Sequence, residues 1–364
     1  MPDNGTDMKL NEGFLDSMKE AFARFRSNDP AAAAEIVKRA MRGEQTDAIA
    51  TPFADVLPPR PHARSTHTAP DVEERGHFSM RRYASAAGQR DYKLYVPAHS
   101  GGGEPLPLIV MLHGCTQDAD DFAAGTRMNA LAEKHGFIVV YPIQPQGANA
   151  SKCWNWFRRA DQQRDRGEPA LIAGITREVM ANCNADPERV YVAGLSAGGA
   201  MAAILAQTYP DLYAAAGVHS GLPVGCAHDL PSALAAMRGG KAHSKARKAG
   251  RADTDDSRTS RSPLIVFHGD ADATVHPANA TELLREFSAN EVIAEGASAG
   301  HGGGRKHTVR HMKSRSGVNA ELWTIHGAPH AWSGGSSRGS YTDPAGPDAS
   351  AEMVRFFLQH PRRH

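Results

Sequence analysis

The 364-residue chain has no surplus of either charge: 41 Lys and Arg stand against 40 Asp and Glu, a formal net charge of +1 with its 18 histidines neutral. Without a field of one sign, nothing draws it to nucleic acid or to an anionic membrane surface, and an uncharged ligand is the expectation. No apolar run approaches the roughly 20 residues that a membrane span requires. Four cysteines, Cys115, Cys153, Cys183 and Cys226, are too few for a disulfide scaffold, and none forms a CxxC pair of the kind that holds zinc. They read as buried thiols, with a Cys115–Cys153 bridge as the alternative because both flank the candidate catalytic residues. The opening Met-Pro-Asp-Asn-Gly-Thr-Asp lacks the basic start and apolar stretch of a secretory signal, so the expected location is cytoplasmic. What the chain does have is 41% hydrophobic residues, enough for a sizeable core.

Organisation changes along the chain. Apolar residues Phe14, Met18, Phe22, Ile36, Val37 and Met41 recur among charges over 9–42, the pattern of one or two amphipathic helices. The proline-rich stretch after them suits neither helix nor central strand and reads as a linker. Residues 1–75 are therefore expected to be an N-terminal helical extension with linker, and 76–364 a catalytic domain. Within that domain, short Val- and Ile-rich runs at 92–96, 106–112, 137–141, 190–193, 214–218, 264–267 and 322–325 alternate with helical patterns at 120–135, 172–182, 197–209 and 278–289. Strands apolar on both faces, separated by helices, predict an α/β fold with a mostly parallel sheet covered on both sides. Residues 238–262 offer almost nothing to bury and read as a flexible surface insertion, and the glycine-rich 296–306 reads likewise.

The chemistry begins at Gly194-Leu195-Ser196-Ala197-Gly198, between an apolar strand and an Ala-rich helix. A serine hydroxyl attacks only when exposed and aligned with a base, and flanking glycines allow the sharp strand-to-helix turn that presents it. The oxyanion formed in such a reaction needs two backbone donors. One candidate is the amide of Ala197; the other is that of Cys115, in the turn after the strand Leu106–Leu112. Two later loops come in the Ser, Asp, His order: His268-Gly269-Asp270-Ala271-Asp272, and Pro329-His330-Ala331-Trp332 after the last strand. Its place beyond that strand puts His330 ahead of His326, His311 and His307 as base. Asp270 and Asp272 fit the acid's role equally by position. No metal or cofactor is called for.

With these residues in view, the chain resembles the polyhydroxybutyrate depolymerase family of esterases, which includes feruloyl and acetylxylan esterases. The likeness spans roughly residues 80 to 360. It rests on His113-Gly114-Cys115-Thr116-Gln117, Cys153-Trp154-Asn155-Trp156-Phe157, Gly194 to Gly199, His268-Gly269 with Asp272, His330 to Gly335, and Asp343 to Ala349. The resemblance implies an α/β-hydrolase fold and a Ser196, His330, Asp272 triad, with Asp272 preferred to Asp270 by its spacing from Gly269. It also implies that Trp154, Trp156 and Trp332 line the cleft for an ester substrate: a hydroxybutyrate oligomer or polymer, or a feruloyl or acetyl sugar ester. The N-terminal extension, the 238–262 insertion and the lack of a signal depart from secreted polymer-degrading members, which favours soluble oligomers or small esters over crystalline polymer. Acyl transfer to an acceptor other than water would use the same residues. A reading of another class, a non-catalytic protein held to polymer granules by residues 9–42, is opposed by the complete Ser, Asp, His series in order.

Overall fold

A computed structural model describes residues 74–98, 103–239, 262–287, 290–297 and 304–362. The chain divides into two units, Met1–Pro70 and Asp71–His364, and the described residues all belong to the second. The expected N-terminal helices, the linker up to residue 73 and residues 240–261 of the expected insertion lie outside the described residues.

In chain order the strands are β1 (His77–Ser85), β2 (Gly88–Val96), β3 (Leu106–Leu112), β4 (Ile138–Pro142), β5 (Ala185–Leu195), β6 (Ala215–His219), β7 (Leu264–Gly269), β8 (Asn290–Ala297), β9 (Lys306–Lys313), β10 (Asn319–Ile325), β11 (Trp332–Ser333) and β12 (Thr342–Asp343). The helices are α1 (Ala119–Thr126), α2 (Met128–His135), α3 (Gly167–Asn182), α4 (Ala197–Thr208), α5 (Leu230–Met237), α6 (Ala278–Leu283) and α7 (Ala349–Gln359). Ten strands form one sheet in the order β1-β2-β4-β3-β5-β6-β7-β10-β9-β8. Pairing is parallel from β4 across to β10 and antiparallel at both flanks.

Alternation along the central strands explains the two-sided burial. On β3, Leu108, Val110 and Leu112 enter one hydrophobic cluster, while Ile109 and Met111 enter the other. On β5, Val190 and Val192 face the first cluster, and Tyr191 and Ala193 the second. The first cluster is roofed by α3 and by α4, whose Ala200, Ala202 and Ala203 bring its backbone close to the sheet. The second is covered by α1, α2 and α7, where Phe357 stacks on Tyr191 with centroids 5.0 Å apart. Neither face of a central strand meets water, which is why these strands read as unbroken apolar runs.

The structure differs from expectation at several elements. The helical pattern over 120–135 is two helices, broken at Arg127, which is left-handed (φ 53). Arg127 reaches out to the Gly334 carbonyl and to Asp348 Oδ2, each at 3.1 Å. Residues 290–297 and 306–313 are strands at the sheet edge, so the ends of the supposed 296–306 loop belong to a β-hairpin. Edge strand β1, whose residues are exposed or at most half-buried, also carries no apolar run to announce it.

Candidate functional site

Parallel strands end together, and the candidate residues sit on the loops that leave one edge. Leu112 at the end of β3 pairs with Gly194 on β5, and Gly269 at the end of β7 pairs with Ile325 on β10. The loops that carry Cys115, Ser196, Asp270 with Asp272, and His330 thus share the carboxyl edge of the sheet, where α/β folds place their ligands.

The serine turn is held by close backbone packing. A Cβ on Gly194 would meet the Leu112 carbonyl oxygen at 2.7 Å, and one on Gly198 the His113 carbonyl oxygen at 2.6 Å. Ser196 itself takes φ 58 and ψ −118, a conformation that costs about 1–3 kcal/mol for a residue with a side chain. Its N–H donates to the His219 carbonyl at 2.8 Å, and its carbonyl accepts from Ala200 at 2.9 Å. Ala197 opens α4, so its N–H has no acceptor within the helix and lies at the positive end of the helix dipole.

On the β3 side the amides flanking Cys115 are committed: that of Gly114 to Gln117 Oε1 at 3.0 Å, and that of Thr116 to the Ser151 carbonyl at 2.7 Å. Cys115 and Cys153 are joined by a disulfide, which corrects the reading of these two as buried thiols; Cys183 and Cys226 are free. The bridge pins the β3 loop to the segment carrying Trp154 and Trp156. Behind it lies buried Glu168, which accepts from Gln144 Nε2 at 2.5 Å and from the Asn155 amide and Nδ2, each at 2.7 Å. Burial and the neighbouring Asp161 raise the Glu168 carboxyl above its ordinary range, against the pull of those hydrogen bonds.

Asp272 is buried, 5% exposed. Its Oδ1 accepts from the Thr274 and Val275 amides at 2.9 and 2.8 Å. Its Oδ2 lies 2.7 Å from His330 Nδ1 and 3.4 Å from His268 Nε2. Burial alone would raise this carboxyl; the adjacent His268 and the hydrogen bonds from His330 and the Val275 amide hold it well below the usual range. An ionised Asp272 can only accept, so His330 Nδ1 carries a proton toward it, and Nε2 is turned away from the pair. Asp270, half exposed, is turned elsewhere: Oδ2 lies 2.8 Å from His326 Nδ1, and Oδ1 accepts from the Gly327 amide at 2.6 Å.

Two buried histidines brace this edge, and neither is given a role by the sequence alone. His268 donates through Nε2 to the Val275 carbonyl at 2.8 Å beside Asp272. His219, at the end of β6, receives the Ser196 N–H on its carbonyl and the Ser333 N–H on Nε2 at 3.0 Å. It thereby links the serine turn to the loop after His330. A strand-end histidine followed by a small residue is the signal each carries, and that signal also fits a plain core histidine.

The three tryptophans that the resemblance names are all buried. Trp154 is fully buried, and its indole N–H donates to the His113 carbonyl at 3.1 Å. Trp332 is 1% exposed, donates to Ser350 Oγ at 3.0 Å and stacks on His219. Trp156, 6% exposed, packs edge to face on Phe157. Among the described residues, no group of three or more His, Cys, Asp or Glu is arranged to hold a metal ion.

The arrangement combines a strained, partly exposed serine with an imidazole oriented by a buried carboxylate. Residues 90–311 match the family model described as esterase PHB depolymerase. The chain belongs to that family. Poly(3-hydroxyalkanoate) depolymerase C of Paucimonas lemoignei is 37% identical over 238 residues, covering 64% of this chain and 57% of that protein. Acetylxylan esterase A of Aspergillus oryzae is 31% identical over 54% of this chain and 64% of its own length. For feruloyl esterase B of Neurospora crassa the identity is 33%, over 50% and 64%. The chain thus spans about three-fifths of the length of these relatives. Among solved structures, the acetyl xylan esterase from Aspergillus awamori superposes with a TM-score of 0.54 at 21% identity, over 69% of this chain and 94% of that one. The S-formylglutathione hydrolase from Agrobacterium tumefaciens gives 0.50 at 16%, over 82% and 99%. The fold is that of the α/β-hydrolases.

Proposed function

We propose that this chain hydrolyses carboxylic esters through an acyl-enzyme at Ser196. The observation that carries the reading is the 2.7 Å contact of His330 with buried, ionised Asp272, on the sheet edge that also presents the strained Ser196. Ser196 Oγ attacks the ester carbonyl carbon as its proton passes to His330 Nε2. The charge that forms on the carbonyl oxygen is met by the amides of Cys115 and Ala197. His330 then gives its proton to the departing alcohol as the carbon–oxygen bond breaks, leaving the acyl group on Ser196. Water, deprotonated by the same imidazole, attacks the acyl-enzyme and releases the acid and the serine. Asp272 keeps the tautomer and steadies the imidazolium.

For substrate, the depolymerase relative supports oligomers of 3-hydroxyalkanoates. The acetylxylan and feruloyl relatives support acetylated or feruloylated sugars as the second reading. In either case Trp154 and Trp332 shape the cleft from behind, holding its walls, and Trp156 lies nearer the surface. Kinetics on p-nitrophenyl butyrate test the mechanism: Ser196→Ala is expected to lose at least about a thousandfold in kcat with the fold retained. Substantial turnover in that variant overturns it. A panel of hydroxybutyrate oligomers, acetylated xylan and methyl ferulate decides the substrate class.

A further inference from the structure

The segment between β11 and β12 carries an aromatic side chain that has no part in the triad or the oxyanion hole. Tyr341 is 40% exposed, one of three exposed large apolar residues among those described, with Met80 and Leu358. Its backbone is left-handed (φ 51), a conformation rarely adopted by a bulky residue and one that persists only where the surroundings enforce it.

Those surroundings are specific. The preceding residue, Ser340, is pinned by its N–H to Asp121 Oδ1 at 2.8 Å, and its carbonyl accepts from Gln117 Nε2 at 3.1 Å. Gln117 is also the residue that engages the Gly114 amide. On the other side, the Tyr341 carbonyl accepts from Trp332 N–H at 2.6 Å, and β12 pairs with β11 directly after it. Trp332 lies two residues beyond His330, and Gln117 two beyond Cys115. Tyr341 is therefore fixed between the base loop and the oxyanion loop. Its hydroxyl stands 3.2 Å from Thr116 Oγ1. Thr116 Oγ1 in turn donates to the Cys115 carbonyl at 2.6 Å, so the phenol donates to the threonine. The hydroxyl is held on the oxyanion loop while the residue as a whole stays 40% exposed.

We propose that Tyr341 is a specificity-determining residue of this site. Its ring walls the mouth between the two loops and packs against the part of an ester substrate that extends beyond the scissile group. A partly exposed, rigidly held phenol offers apolar area with few rotamers to lose, which suits a chain of repeating aliphatic hydroxyacid units. The proposal rests on ester hydrolysis at Ser196.

The test compares kcat and KM for p-nitrophenyl acetate and for a 3-hydroxybutyrate trimer methyl ester in wild type, Y341A, Y341G, Y341F and Y341W. The ratio of kcat/KM for trimer over acetate is expected to fall about five- to tenfold in Y341A, through KM, in line with the loss of one aromatic contact. Y341G accepts the left-handed backbone without strain and should fall equally, while Y341F and Y341W should keep most of the preference. Equal losses on both substrates would mark a structural role and overturn the proposal. So would an unchanged ratio, a Y341F that behaves like Y341A, or a wild type that ignores the trimer. S196A, assayed alongside, separates this outcome from failure of the esterase reading: activity surviving in S196A overturns that reading, whatever the Tyr341 variants do.

Discussion

His330 Nδ1 lies 2.7 Å from Asp272 Oδ2, and His326 Nδ1 lies 2.8 Å from Asp270 Oδ2. Two carboxylates on one loop thus meet two histidines on the next in parallel. They differ in surroundings. Asp272 is buried, receives two backbone amides on its other oxygen and has His268 at its side. The Asp270 pair is exposed, and His326 Nε2 lies 2.9 Å from Thr308 Oγ1 on an outer strand. The first pair has the orientation and desolvation that an acid and base need. The second clasps the loops together.

Substitution at the two aspartates should separate these roles. Asp272→Asn keeps the shape but lets His330 adopt the wrong tautomer, and kcat is expected to fall about a thousand- to ten-thousandfold. Asp270→Asn removes only the exposed clasp, and kcat should fall by about tenfold or less. Comparable losses in steady-state assays of the two variants would reverse the assignment.

Why position at the strand end, without the family resemblance, leaves these two residues level is a matter of what it encodes. Position after β7 places both carboxylates at the correct edge, but only the fold determines which one turns inward beneath His268 and which meets the Gly327 amide. The central strands are legible for the opposite reason: Leu106–Leu112 and Leu264–Gly269 are buried on both faces, so burial is written directly as apolar runs. Edge strand β1 and strand β9, next to the opposite edge, mix charged and apolar residues because most of their positions are exposed or only half-buried, so no apolar run marks them. The Cys115–Cys153 bridge is open in the sequence for a similar reason: it joins residues 38 apart, and only the proximity created by folding decides it.

If the Cys115 amide serves as proposed, that bridge should couple stability to activity. Closing a loop of 38 residues removes unfolded-state entropy worth about 2–4 kcal/mol. In the C115A/C153A double variant, denaturant unfolding should report a loss of that order. Because the proposed oxyanion amide belongs to Cys115, kcat should fall about tenfold or more while KM changes little. A variant with lower stability but unaltered kcat would remove the disulfide from the catalytic geometry.

Glu168 ties down the same region from inside. In Glu168→Ala, the Asn155 amide, its side-chain Nδ2 and Gln144 Nε2 lose their acceptor together. Leaving buried donors unpaired should destabilise the fold by about 2–4 kcal/mol. Guanidinium unfolding is the measurement, and a loss under about 0.5 kcal/mol, the level of an ordinary surface substitution, would show that the network relaxes onto other partners.

Two buried histidines should each make the fold less stable in mild acid. Burial lowers His219 to about 3, with the nearby His268 and His330 adding to the shift. His113 is lowered to about 4, again mainly by burial, opposed by its hydrogen bond to the Gly114 carbonyl. In the unfolded chain both titrate near the ordinary value of about 6.5. Above that pH both states hold the imidazoles neutral, and the stability they contribute is complete. As pH falls below it, the unfolded chain takes up protons that the folded one refuses, so stability declines until the folded values of about 3 and 4 are reached. Thermal unfolding followed from pH 7.5 to 5 should show a falling Tm, less steep in His219→Gln because one of the two protons is no longer part of the balance. A Tm profile of His219→Gln parallel to that of the wild type would mean that His219 does not remain neutral in the fold over this range.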